Sequence, residues 1–225
     1  MNLPNPSELV RRGYDNLSHR YRGDHDYPAD YTSWLTHLQR QLPANARVLD
    51  LGCGCGIPVA KTLSDHGHQV TGVDLSEVQV NRARELVPQA TFRHADATHI
   101  TFPDRTFDAI VCLYALIHMP LDRQPLLLRR IATWLRPGGL LLATTGAQEW
   151  TGTQDHWLGG TATMWWSHAD AATYRDWIIQ AGLTIDSEQF VPEADSGHQL
   201  FWAHRPESSR ADHGDDRPPR STWIL

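Results

Sequence analysis

The chain has 225 residues, 40% of them apolar, and carries 20 lysines and arginines against 26 aspartates and glutamates, a formal net charge of -6. That length gives one domain with a sizeable core and some decoration, and the acidic balance argues against a partner held by broad neutralisation of phosphates, so nucleic acid is not expected. No run approaches the eighteen or so uncharged apolar residues that would span a bilayer, and no membrane partner is expected.

In chain order, the opening MNLPNPSELVRRGYDN has no apolar core behind its charges and no small-residue cleavage site, so it reads as no secretory signal and the expected location is cytoplasmic. Residues 1–45 read as amphipathic helix in pieces, punctuated by Pro4, Pro6, Pro28 and Pro43. From Ala46 short apolar runs alternate with helical ones, the pattern of strand-crossover-strand units and a parallel sheet. Strands are predicted at about 47–51, 69–74, 91–95, 108–114 and 139–145, with helices at roughly 57–67, 77–87 and 121–135. Pro58 suits a first helical turn, Gly67 a stop and Ser76 an N-cap. Ser167-His-Ala-Asp170 has the spacing of a capping box, with Asp in place of Glu, and predicts a helix to about Ala181 ended by Gly182. Strands at about 183–190 and 198–204 then make a hairpin around residues 192–197, and from about 206 onward the polar, proline-rich, aperiodic sequence predicts disorder.

The most informative segment is Val48-Leu-Asp-Leu-Gly-Cys-Gly-Cys-Gly-Ile-Pro-Val-Ala60, an apolar strand, an acid, three alternating glycines and then a helix. Glycines in such a turn permit positive φ and let a ligand approach the backbone, which by itself signals only a nucleotide. The dinucleotide pattern G-x-G-x-x-G fails in both registers, since Ile57 or Val59 stands where the third glycine belongs. Asp50 at the strand end would repel a pyrophosphate but can pair with an ammonium group, so a cationic, phosphate-free ligand fits better. Asp74, 24 positions on, ends the second strand, where a carboxylate can accept from both ribose hydroxyls; Asp96 ends the third, suited to an adenine amino group. Cys53-x-Cys55 lacks the second pair or the His-x3-His that would complete a metal site, and with Cys112 these cysteines are too few for a disulfide framework; no metal is expected.

Asp50-Leu-Gly-Cys-Gly-Cys-Gly56, Asp74, Asp96, the run Phe107-Asp-Ala-Ile-Val-Cys-Leu-Tyr114 and the turn Leu135-Arg-Pro-Gly-Gly-Leu140 resemble, in order and spacing, the motifs of class I S-adenosylmethionine-dependent methyltransferases over residues 46–146. The resemblance implies an α/β fold, a Rossmann-like doubly wound seven-stranded sheet in the order 3-2-1-4-5-7-6 with strand 7 antiparallel, to which the late hairpin contributes strands 6 and 7. It implies S-adenosylmethionine as cofactor and S-adenosylhomocysteine as product. On that resemblance Asp50 and the loop of Gly52, Cys53, Gly54 and Gly56 hold the methionine part, Asp74 with Leu75 beside it the ribose, Asp96 and Ala97 the adenine, and Leu113 walls the methyl sulfonium. Tyr14-Asp-Asn-Leu-Ser-His-Arg-Tyr21 resembles the helix covering the cofactor in many small-molecule members, with Tyr14 and Tyr21 seven apart on one face. The expected organisation is a helical cap at 1–45, a methyltransferase domain at 46–205 with a lid-like insertion at about 146–168, and a tail at 206–225.

Methyl transfer is an in-line displacement, so alignment and exclusion of water come first, and a base is needed only where the nucleophile must lose a proton. His118, just after the fourth strand, is the leading candidate, because imidazole titrates near neutrality. His156, in the insertion, ranks second. The insertion also holds Trp150, Trp157, Trp165 and Trp166, whose rings could cover a flat acceptor, so the expected acceptor is a small, aromatic metabolite of secondary metabolism. Cys112-Leu-Tyr-Ala115 replaces the Asn/Asp-Pro-Pro-aromatic run of DNA and glutamine methyltransferases, which disfavours those amine acceptors. Expected partners are therefore a small-molecule acceptor and, at most, a second copy in a homodimer. The alternatives are an NAD(P)-dependent oxidoreductase on a similar sheet, or a module that binds the cofactor without turnover.

Overall fold

The computed structural model describes residues 5–193 and 196–207. Two helices precede the first strand. In α1 (Pro6–Tyr21) the Asn5 side chain accepts from the Ser7 amide and Pro6 occupies the first turn, where its missing N–H costs nothing. After α2 (Ala29–Gln41) the chain alternates β1 (Arg47–Leu51), α3 (Val59–Asp65), β2 (Gln69–Asp74), α4 (Glu77–Leu86), β3 (Thr91–His94), β4 (Phe107–Cys112), α5 (Gln124–Trp134) and β5 (Leu135–Gly146). A two-stranded ribbon of β6 (Trp150–Gln154) and β7 (Met164–His168) follows, then α6 (Ala171–Gln180), β8 (Thr184–Glu193) and β9 (Ser196–His204).

The main sheet has the order β3-β2-β1-β4-β5-β9-β8, with β9 antiparallel to both its neighbours. That is the expected 3-2-1-4-5-7-6 arrangement, β8 and β9 serving as the sixth and seventh strands. Side chains alternate between its faces with period two. Val48, Ala109 and Val111 join a core with Trp34, Leu35 and Leu63 from α2 and α3, whereas Leu49, Leu51, Ile110 and Cys112 join Leu127, Leu128 and Ile131 of α5 and Tyr174 and Ile178 of α6. Burying each large aliphatic side chain contributes roughly 1.5–3 kcal/mol, which is why central strands covered on both faces are apolar throughout. A third, smaller cluster of Val10, Leu17, Trp157, Ala162 and Met164 packs α1 against the ribbon. Contact there is close: a Cβ on Gly13 would lie 2.5 Å from the Met164 terminal methyl.

Some predicted boundaries move. Strand β4 stops at Cys112 instead of 114, because Tyr114 turns into the left-handed region at φ 58°. The predicted 121–135 helix opens as a 3-10 turn, Leu121–Arg123, before α5, and β5 begins at Leu135, ahead of the predicted 139. The capping box at Ser167 is a correction: Ser167 lies in β7, its hydroxyl 2.9 Å from that of Thr151 across the ribbon, and Asp170 caps α6 by accepting from the Thr173 amide. Ala194 and Asp195 of the predicted turn, and the predicted tail from 208 on, lie outside the described residues. Among the described residues no helix is long and apolar enough to cross a membrane.

Candidate active site

A cleft, open to solvent on one side, lies at the carboxyl ends of β1, β2, β3 and β4 and is walled on the far side by α1. Its floor is the glycine turn after β1. Gly52 and Cys53 donate their amides to the Val73 carbonyl, at 2.8 and 3.1 Å, which ties the turn to β2. Gly52 (φ 75°) packs so closely that a Cβ would fall 2.3 Å from that of Ala115, whereas Gly54 (φ 52°) has no atom within 4 Å of where its Cβ would be. One glycine is required by a neighbour and both by the backbone.

Three acids stand at three strand ends in different states. Asp74 lines the cleft and accepts from the Gly54 amide through Oδ2 and the Ser76 amide through Oδ1, each at 2.8 Å. Burial raises its pKa and those two N–H donors oppose the rise. Asp96 also lines the cleft, its Oδ1 accepting from both the amide and hydroxyl of Thr98 at 2.7 Å. Asp50 lies beneath the glycine turn, 2% exposed, and its Oδ2 has no hydrogen-bond partner. Desolvation first, and the neighbouring Asp74 second, push its carboxyl up to about 8. A buried carboxyl without a partner is costly and awaits a cation or a donor.

Residues 48–139 match the family model described as a methyltransferase domain. Over that stretch the chain is similar to methyltransferases. It is 37% identical over 163 residues to 27-O-demethylrifamycin SV methyltransferase of Amycolatopsis mediterranei (strain S699), a match covering 63% of this chain and 59% of that one. It is 39% identical over 148 residues to methyltransferase GfsG of Streptomyces halstedii, covering 60% and 52%. The chain thus spans less than two thirds of the length of these curated relatives. Among solved structures, magnesium protoporphyrin IX methyltransferase (ChlM) from Synechocystis PCC 6803 with bound SAM superposes at TM-score 0.68 with 18% identity, over 91% of this chain and 99% of that one, a likeness of fold.

The residues at this cleft fit S-adenosylmethionine on their own chemistry. The unpartnered Asp50 oxygen supplies the counter-charge an ammonium group needs, the open space at Gly54 admits a chain against the backbone, and Asp74 keeps lone pairs for ribose hydroxyls. Val73, Leu75, Ala95 and Ala97 give an apolar wall beside Asp96 for a flat base.

Of the residues singled out from the sequence, the structure brings Tyr14, Tyr21, Gly52, Gly54, Asp74, Leu75, Asp96, Ala97, Leu113 and His118 to the wall of this one cleft. Four do not line it. Asp50 is one layer below; the Cys53 thiol turns to the Gly54 carbonyl at 3.5 Å; Gly56 faces Val87 and Phe92 in the core. His156 is exposed in the loop after β6, with Nδ1 3.2 Å from the Gly160 carbonyl, away from the cleft wall. The four tryptophans of the insertion do not line the cleft either: Trp157 is core, and Trp166 packs behind His118 with ring centres 5.4 Å apart. The aromatic rings facing the cleft are Tyr14, Tyr21 and Tyr114.

His118 is buried between two fixed partners. Its Nδ1 lies 2.8 Å from the Trp165 carbonyl and its Nε2 3.0 Å from the Tyr14 hydroxyl. A carbonyl only accepts, so Nδ1 carries the proton and Nε2 accepts from Tyr14. Burial lowers its pKa to about 4 against the opposing pull of the Trp165 carbonyl, leaving the ring neutral at pH 7. The sequence reading missed Tyr114, whose left-handed backbone is held by its amide donating to Thr144 Oγ1 at 2.5 Å, and Ser76 in any role beyond capping. A tyrosine at positive φ has no signal in sequence; the serine's second role depends on α1 lying beside it.

Proposed function

We propose that the protein transfers a methyl group from S-adenosylmethionine to a small-molecule acceptor. The observation that carries this reading is the run of the cleft itself: from the acid-bearing strand ends Asp74 and Asp96 it continues, past Leu113, to a neutral histidine hydrogen-bonded to a tyrosine. The relatives named for small-molecule methylation support it, and the one named for a rifamycin compound supports a place in secondary metabolism.

The cofactor supplies an electrophilic methyl group on a sulfonium. The chain's own residues do the rest. Asp50 neutralises the ammonium end, Asp74 holds the ribose and Asp96 with Ala97 the adenine side, so the reacting end is presented toward Leu113 and His118. Wall helix α1 keeps bulk water from this end. A hydroxyl, thiol or amine acceptor lying against Tyr14 and Tyr114 gives up its proton to the Tyr14 hydroxyl oxygen as that hydroxyl passes its own proton to Nε2 of His118, whose tautomer is fixed by the Nδ1–H bond to Trp165. Tyrosine faces along the wall suit an aromatic acceptor.

Calorimetry with S-adenosylhomocysteine tests the first half: micromolar binding is expected, NAD(P)H should give no heat, and the reverse result would move the protein to the oxidoreductases. Incubation with methyl-labelled S-adenosylmethionine and a panel of phenols, thiols and amines tests the second; a protein that binds the cofactor and labels none of a broad panel would be a binding module.

A further inference from the structure

Helix α1 meets α4 along a seam that is polar and buried, where two packed helices ordinarily meet through apolar side chains. Along α4 the stripe is Ser76, Gln79 and Arg82; along α1 it is Asp15, Ser18 and the C-cap residue Arg22. The spacings, three and three against three and four, set one residue of each stripe opposite one of the other. Ser76 Oγ donates to Asp15 Oδ1 at 2.6 Å and Ser18 Oγ to Gln79 Oε1 at 2.8 Å. Arg82 donates from Nη1 to Ser18 Oγ at 2.6 Å and from Nη2 to the Arg22 carbonyl at 3.0 Å and Asp24 Oδ1 at 2.5 Å. Ser18, Ser76, Gln79 and Arg82 are all buried.

Directional bonds of this kind admit one register, whereas an apolar seam would tolerate sliding. That register is what puts Tyr14 against His118 and Arg11, held by Asp15 at 2.5 Å, at the cleft wall. The Arg82 guanidinium also sits at the C-terminal end of α1, where it answers the helix dipole and the Arg22 carbonyl left over by the last turn. At the other end Ser76 gives its amide to Asp74, so the acid expected to hold the ribose and the helix that walls the cleft share one residue. Yet the seam is not saturated: Arg82 Nε and Gln79 Nε2 are buried without partners, which weakens the docked state relative to a fully paired one.

We propose that this seam is the latch of a movable cap: α1 parts from α4 to admit and release the cofactor, and Arg82 and Asp15 are the positioning residues that set how long it stays shut. The proposal rests on the reading of the cleft as the cofactor site. It is tested with S-adenosylhomocysteine alone, followed by stopped-flow tryptophan fluorescence, since Trp157 packs on Tyr14 with ring centres 5.2 Å apart and reports the position of α1. Arg82→Met is expected to raise the dissociation rate by about tenfold or more without lowering the association rate; Arg82→Lys, which keeps the charge, should recover most of the loss, and Asp15→Asn should fall between. A purely structural role would lower the melting temperature and leave the off-rate of the folded fraction within about twofold of the parent, and that result overturns the proposal. If Arg82→Met does not fold, Asp15→Asn decides by the same twofold criterion. Parent protein that fails to bind S-adenosylhomocysteine removes the cofactor reading, and this proposal with it; parent that binds, with unchanged variant rates, removes the latch alone.

Discussion

Asp50 and Asp74 are two carboxyls close enough to repel, and the hydrogen bonds decide which keeps its charge. Asp74 has two backbone N–H donors; Asp50 has an oxygen with none, so Asp50 is the one held protonated, up to about 8 from an ordinary value of 3.8. A carboxyl whose pKa is higher in the folded chain gives stability that is full below about 4 and is lost as the pH rises through about 8. Asp50→Asn is therefore expected to raise the melting temperature of the ligand-free protein at pH 8.5 but hardly at pH 4, and to weaken S-adenosylhomocysteine binding by roughly 2–5 kcal/mol, the usual cost of removing one partner of a buried charge pair. The parent should also release a proton on binding at pH 7, seen as a dependence of the binding heat on buffer ionisation enthalpy; a buffer-independent heat would mean Asp50 is already ionised. For His118, nitrogen NMR should show an Nδ1–H ring that does not titrate between pH 5 and 8. Replacing it with alanine should lower turnover by about 10²–10⁴ and leave cofactor affinity intact; unchanged turnover would take His118 out of the chemistry.

At the level of elements, the parallel core was legible because β1 and β2 are short apolar runs closed by an acid or a glycine turn and β4 and β5 carry apolar runs of their own, and these signals are local. The ribbon β6–β7 was not. Its strands are five residues each and its tryptophans read as a lid, while Ser167 three positions before Asp170 imitates a helix cap that spacing alone cannot tell from a strand end. What holds the ribbon beside the site is Gln124 of α5, fully buried, which donates from Nε2 to the carbonyls of Met119 (2.8 Å) and Ser167 (2.7 Å) and accepts from the Tyr174 hydroxyl. Gln124→Leu keeps the volume but leaves three buried polar groups unpaired, at a cost of about 2–4 kcal/mol. For a chain of this length that is a fall in melting temperature of roughly 5–15 °C by calorimetry. Because Met119 follows His118, turnover should fall further than stability alone accounts for. A change under about 1 kcal/mol would mean that water takes over the amide's bonds.

Across the whole molecule the cleft draws on α1, the turn after β1, the ends of β2 and β3, and the loop after β4, pieces more than a hundred residues apart in sequence that only the sheet order brings together. The acids and glycines could be found in advance because each sits at a strand end a fixed step from its own hydrophobic run. The tyrosine that occupies the His118 nitrogen, and the serine shared between Asp74 and α1, could not, since both depend on where a helix docks by buried polar contacts that leave no periodic trace. A ligand that bridges these pieces binds only the folded chain, so it must stabilise the molecule as a unit. S-adenosylhomocysteine at about a hundred times its dissociation constant should add ≈ 2.7 kcal/mol, which for a chain of this length raises the melting temperature by roughly 5–10 °C. The transition should move without splitting, because walls contributed by α1 and by four strand ends melt together when one ligand holds them. NADP at the same concentration should leave it in place. A shift seen only in a low-temperature shoulder would mean that α1 melts separately from the sheet and that the ligand holds the helix without holding the fold.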